Sequence, residues 1–230
     1  MNSSPTSASA QPDPSIAAEL HQVSRLYGKF AALRKVSARF HAGRCHILVG
    51  ENGAGKSTLL RTVAGLLSPS MGRVSIFGQT PHEARARIGY MSHATMLYDE
   101  LSGMENLEYF AALMPGSIGL SPADSMRAVG LDPTLPRMVG QYSQGMRQRV
   151  ALARVLLAKP DLLLLDEPFS NMDAHSAGQM VDLLGSMRGS AIGAKTIILT
   201  THQPSLAEPI ADAWLTMRAG EIVSQEKPAQ

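Results

Sequence analysis

Apolar and polar positions along this chain fall into blocks of two different periods. Between residues 19 and 40, Leu20, Val23 and Leu26, then Leu33, Val36 and Phe40, recur at strand spacing on either side of Tyr27-Gly28. That pattern predicts an antiparallel β ribbon with Tyr27 at its turn. Residues 45–49 form a short apolar run, and 56–67 carry Leu59, Leu60, Val63 and Leu66 at helical spacing. A turn over 68–72 leads to an alternating, half-buried strand over 73–78, and 88–92 give another short strand.

The character then changes. Residues 105–113 and 121–129 have helical spacing, with Ser121-Pro122 as a cap and first-turn pair. A long helix over 143–158 follows, with Val150, Leu152, Ala153, Leu156 and Leu157 inward. No strand signal interrupts this part, so 93–158 reads as a helical insertion. Residues 162–166 are apolar almost throughout instead of alternating, which predicts a strand buried on both faces. A helix over 174–188, a Gly-rich loop to Lys195, a second buried strand over 196–201 and a closing hairpin from 213–217 and 221–225 complete the pattern. The fold class expected is α/β, with a mostly parallel sheet, an antiparallel β subdomain and an α-helical insertion.

Length and composition narrow the choice. At 230 residues the chain suits one large α/β domain, set here at 18–230. Residues 1–15 are rich in Ser, Pro and Ala with neither a basic start nor an apolar core, and read as a disordered tail rather than a signal or transit peptide; the tail is carried to residue 17. Lys and Arg number 21 against 19 Asp and Glu, and no basic stripe stands out, so no nucleic acid partner is expected. Arg154, Lys159 and Asp161 break the longest apolar run before it reaches the ~18 residues of a membrane span. The single Cys45, in an expected buried strand, fits a reduced cytosolic setting.

The candidate chemistry begins after the 45–49 strand. Gly50, Glu51, Asn52, Gly53, Ala54, Gly55, Lys56, Ser57 and Thr58 form a G-x-x-x-x-G-K-[ST] loop that opens a helix. Glycines let backbone N–H groups turn inward, and the helix start adds unpaired donors and a positive dipole end, which together cradle polyphosphate. Lys56 reaches the β- and γ-phosphates as a point charge, Ser57 suits Mg²⁺, and Thr58 hydrogen-bonds phosphate oxygens. Asp166 ends an apolar strand, where it can hold Mg²⁺ directly or through an intervening ligand; Glu167 can polarise a water, and His202, ending another strand, can contact the γ-phosphate or orient that water.

In this order the motifs resemble those of the ATP-binding-cassette ATPases, over nearly everything from Glu19 to Gln225. The resemblance implies a P-loop NTPase core with a Walker A loop at 50–58, a signature at Tyr142-Ser143-Gln144-Gly145-Met146, a Walker B strand at 162–166, Glu167 as catalytic glutamate, a D-loop at 170–173 including Asp173, His202 as switch histidine, and Tyr27 as the adenine-stacking aromatic. Two positions depart from the family pattern. The signature keeps Ser143 and Gly145 of the usual Leu-Ser-Gly-Gly-Gln, with Gln144 between them, and His93 stands where the family has the glutamine that meets Mg²⁺ and the attacking water.

The same resemblance implies a head-to-tail pair of cassettes, from a second copy or a similar ATPase subunit, with ATP and Mg²⁺ held between the Walker A loop of one and the signature of the other. It implies integral membrane transporter subunits as partners, docked near 93–101, and a peripheral place on the cytoplasmic face of the cell membrane. Within the family, the 143–149 run, the 166–173 run and His93 look most like the haem exporter ATPase of cytochrome c maturation. The alternative is a general export cassette for drugs, lipids or polysaccharide. Cassettes acting on ribosomes or DNA are disfavoured, because no second cassette and no inserted coiled coil is present.

Overall fold

A computed structural model describes residues 13–114, 119–188 and 194–226. Two long strands, β1 (Ile16–Tyr27) and β2 (Phe30–His41), form the expected ribbon, joined by Gly28-Lys29. The ordered strand starts at Ile16 with Ala17 fully buried, two residues ahead of the expected domain boundary. Most of the tail falls outside the described residues. On the other edge of β1 lies β4 (Met71–Ile76), which completes a three-stranded antiparallel sheet. That strand ends earlier than its alternation suggested, because Phe77 takes a left-handed turn with φ 49°.

The larger sheet is built from β3 (Cys45–Val49), β5 (Ile88–Met91), β6 (Leu162–Asp166), β7 (Thr196–Thr200), β8 (Ala213–Arg218) and β9 (Glu221–Glu226). Their order is β5-β6-β7-β3-β8-β9, parallel throughout except for β9, which returns antiparallel beside β8. Alternate residues of the central strands serve opposite cores. Leu163 and Leu165 face the layer with α4 (Gln144–Leu156) and α5 (Ala174–Arg188). Leu162 and Leu164 face α1 (Lys56–Val63) and the antiparallel sheet. Burial on both faces explains why β6 is apolar without alternating.

Between β5 and β6 the described residues hold helices and no strand: α2 (Gly103–Leu113), α3 (Pro122–Ala128) and α4. Each start is capped by a serine. Ser102 accepts from the Glu105 amide while Glu105 bonds the Ser102 amide in return, and Ser121 and Ser143 accept from Asp124 and Met146. One helix is shorter than its periodicity predicted. α1 stops at Val63, Gly65 turns left-handed with φ 74°, and Leu66 is exposed instead of inward.

Candidate functional site

Three strand ends and one helix start converge on a cleft of ≈ 650 Å³. It is lined by Tyr27 and Phe30 from the ribbon, residues 52–58 from the loop and α1, and His93, Asp166, Glu167, Ser170 and His202 beyond the strand ends. This is where parallel sheets place ligands, because helix starts and strand C-termini meet there. A Cβ at Gly55, whose φ is 102°, would sit 2.6 Å from the Ala32 carbonyl oxygen, so only glycine lets the loop pass that close to the ribbon.

Lys56 lies largely buried at the first turn of α1, and its Nζ donates to the carbonyls of Gly50 at 2.7 Å and Glu51 at 3.1 Å. Gly50 and Glu51 therefore brace the lysine from behind the cleft wall. Asp166 is buried, and its Oδ1 accepts from Ser57 Oγ at 3.0 Å and from Thr200 Oγ1 at 2.8 Å. A hydroxyl and a carboxylate this close offer hard oxygen ligands. They fit Mg²⁺, which binds through one or two side chains, keeps its waters and takes the rest from phosphate. Among the described residues there is no group of three or more His, Cys, Asp or Glu that could hold a metal ion unaided.

Glu167 and His202 form a direct pair that spacing along the chain did not reveal. His202 Nδ1 lies 2.8 Å from Glu167 Oε2, and the His202 amide donates to the same oxygen at 3.2 Å. Glu167 is mostly covered while His202 is half exposed, so the pair faces the cleft from its rim. Together they can accept a proton from a water and hold it near a phosphate.

The remaining candidates lie elsewhere. Ser143 is exposed at the N-terminus of α4, Gln144 follows it, and Gly145 packs so tightly that a Cβ there would meet Ser176 of α5 at 2.8 Å. Asp173 caps α5 by accepting from the Ser176 amide at 2.9 Å and hydroxyl at 2.7 Å. The signature and D-loop thus adjoin each other, and none of these four residues lines the cleft. His93 does line it, exposed beyond β5.

The sequence reading missed Phe30 and Thr200, and placed Ser170 in the D-loop without a place in the cleft. Phe30 is the cross-strand partner of Tyr27 at the ribbon's turn, and both rings are exposed on the cleft side. A signal was present, since residues flanking a two-residue turn project to the same face. Arg25 already stacks over Tyr27, 4.8 Å from the ring centroid. Ser170 is buried in the cleft wall with its hydroxyl unpartnered, and Thr200 sits inside an apolar strand, where a hydroxyl among β-branched residues drew no notice.

The family described as ABC transporter matches residues 33–170 of this chain. The ATP-binding protein NatA of Bacillus subtilis is 34% identical over 84% of this chain and 80% of its own length. The Nod factor export ATP-binding protein I of Rhizobium johnstonii is 34% identical over 93% and 70%. The phosphonates import ATP-binding protein PhnC 1 of Natronomonas pharaonis is 35% identical over 90% and 91%. Among solved structures, the dimeric bacterial ABC transporter cassette MJ0796 superposes with a TM-score of 0.80 at 25% identity, covering 93% of this chain and 99% of that one. Family match, relatives and fold agree with the cleft's chemistry: this chain belongs to the ABC transporter family, as an ATP-binding subunit that couples ATP hydrolysis to transport.

Proposed function

We propose that the chain energises a membrane exporter as one half of a head-to-tail pair of cassettes, with the residues of its cleft in the following roles. Lys56 and the first N–H groups of α1 hold the β- and γ-phosphates. Tyr27 and Phe30 take the base between or beside their rings, where stacking contributes ~1–3 kcal/mol. Ser57 and Asp166 hold Mg²⁺, which supplies charge neutralisation on the phosphate oxygens. Water attacks the γ-phosphorus, the bond from that phosphorus to the bridging oxygen breaks, and ADP leaves. Glu167 takes the water's proton, and His202 orients Glu167 and the γ-phosphate. His93 stands at the cleft mouth in the place of the family's glutamine.

One observation carries the pairing. Ser143 and Gly145 sit outside the cleft, at the start of α4. A second cassette turned head to tail would bring its helix start to the open side. Mixing tests it. Lys56→Ala and Ser143→Arg each disable both composite sites of a homodimer, but a mixed pair keeps one site with an intact loop and an intact signature. ATPase activity should reappear on mixing, and no recovery at any ratio would overturn the head-to-tail arrangement.

Among the described residues no helix is long and apolar enough to cross a membrane. The relatives named for export and import support separate membrane subunits as partners, and the reading sets the chain on their cytoplasmic side. The aromatic cluster of Tyr98, Tyr109 and Phe110, exposed in part near 93–101, supports a docking site there. Relatives are named for export of Nod factor and for import of phosphonates, and none of those reported above is named for haem. Haem export is the finer reading, supported by the 143–149 and 166–173 runs and by His93 in the cleft. Removing the chain from its host should then abolish haem attachment to c-type cytochromes. Normal maturation without it would overturn that reading and leave the general exporter standing.

A further inference from the structure

Thr200 ends β7 directly beside Asp166, its ladder partner on β6, and is fully buried. Its hydroxyl makes two bonds at once. Oγ1 donates to Asp166 Oδ1 at 2.8 Å and accepts from the Glu167 amide at 3.0 Å. One atom therefore ties the side chain of the first acid to the main chain of the second. That tie holds an unfavourable turn, because Glu167 has φ 55°, a left-handed conformation that crowds the Cβ of any residue but glycine. The turn is what aims Glu167 Oε2 at His202 Nδ1, 2.8 Å away. Two residues past Thr200, His202 closes the loop back to Glu167, and Thr201 Oγ1 fixes the next turn by accepting from the Gln203 amide at 2.9 Å.

We propose that Thr200 is a positioning residue for hydrolysis: its hydroxyl clamps Asp166 and the Glu167 backbone so that the Glu167 carboxylate is held against His202. Thr200 is fully buried and does not line the cleft. Valine has nearly the same shape but no hydroxyl, so it leaves the Glu167 N–H unpaired and takes one hydroxyl donor from Asp166. The proposal rests on Glu167 acting as the base.

Thr200→Val and Thr200→Ser separate positioning from packing. With the valine variant, kcat should fall by about tenfold or more while the equilibrium affinity for ATP measured without Mg²⁺ stays within about twofold, since Lys56 and the loop that cradles phosphate make no bond to Thr200. Thr200→Ser should recover kcat to within about threefold of the parent, because the hydroxyl and not the methyl is required. Should the valine variant fail to fold, Thr200→Ala takes its place with the same expectations. An unchanged kcat in the hydroxyl-free variant, a rise in KM at constant kcat, or a serine variant as impaired as valine would each overturn the proposal. Turnover at the parent rate in Glu167→Gln would instead bring down the assignment of Glu167 as the base, so the two failures are distinguishable.

Discussion

His46 offers a sharp test of how burial in β3 governs stability. It is 1% exposed, with its ring edge-on to Phe40 at 5.2 Å between centroids. The His41 amide lies 2.9 Å from Nε2, so that nitrogen accepts, the proton sits on Nδ1, and Nδ1 is buried without a partner. Burial lowers the pKa to about 4 from 6.5, against smaller upward contributions from the His41 backbone and Asp212; His41 and Arg44 add to the lowering. The folded value lies below the unfolded one, so between them the unfolded chain binds the extra proton. Stability from this residue is complete above pH 6.5 and is lost as pH falls toward 4. At 1.36 kcal/mol per unit, the full loss is about 3 kcal/mol, of which about 2 kcal/mol has gone by pH 5. Urea unfolding at pH 7.5 and pH 5 of the parent and of His46→Gln measures it. Other titrating groups contribute equally to both proteins, so the parent should lose about 2 kcal/mol more than the variant over that interval. Equal losses would show that the buried ring is not what titrates.

Glu167→Gln should retain ATP binding and associate into a stable pair on ATP while hydrolysis falls by about 10²–10⁴-fold; turnover at the parent rate in a phosphate-release assay would remove Glu167 from the chemistry. Tyr27→Ala and Phe30→Ala should each weaken ATP binding by about fivefold or more, measured by fluorescence titration, and a loss in the Tyr27 variant alone would take Phe30 out of the base site. Gly55→Ala should fold yet lose nucleotide binding, because the loop must move to relieve a 2.6 Å approach to the Ala32 carbonyl; unaltered affinity would show that the loop is not held there. Ser102→Ala should lower stability by about 1 kcal/mol through loss of the α2 capping box, with ATP affinity unchanged, as thermal unfolding with and without nucleotide would reveal.

Local chemistry fixes much of this protein without reference to its fold. The loop at 50–58 is legible because phosphate binding needs glycine, lysine and a hydroxyl at set spacing within one turn, and the 162–166 run is legible because only a strand covered on both faces can be apolar throughout. The helix start at Ser121 is legible for the same reason, a serine side chain bonding the amide three residues on, whereas the Ser102 cap, two residues ahead of the helix expected from residue 105 to 113, emerged from the structure. Tertiary structure decided what depends on distance between remote segments. Nothing in the spacing of Asp166, Glu167, Thr200 and His202 tells that one hydroxyl joins the two acids or that Glu167 meets His202, since those contacts follow from β6 and β7 being neighbours in register. Likewise Phe30 joins Tyr27 because a two-residue turn pairs them, and Ser143 falls outside the cleft because α4 belongs to the helical layer. Periodicity records which side of an element is dry, whereas only the packed sheet sets which dry elements lie side by side, and the catalytic geometry is made of that choice.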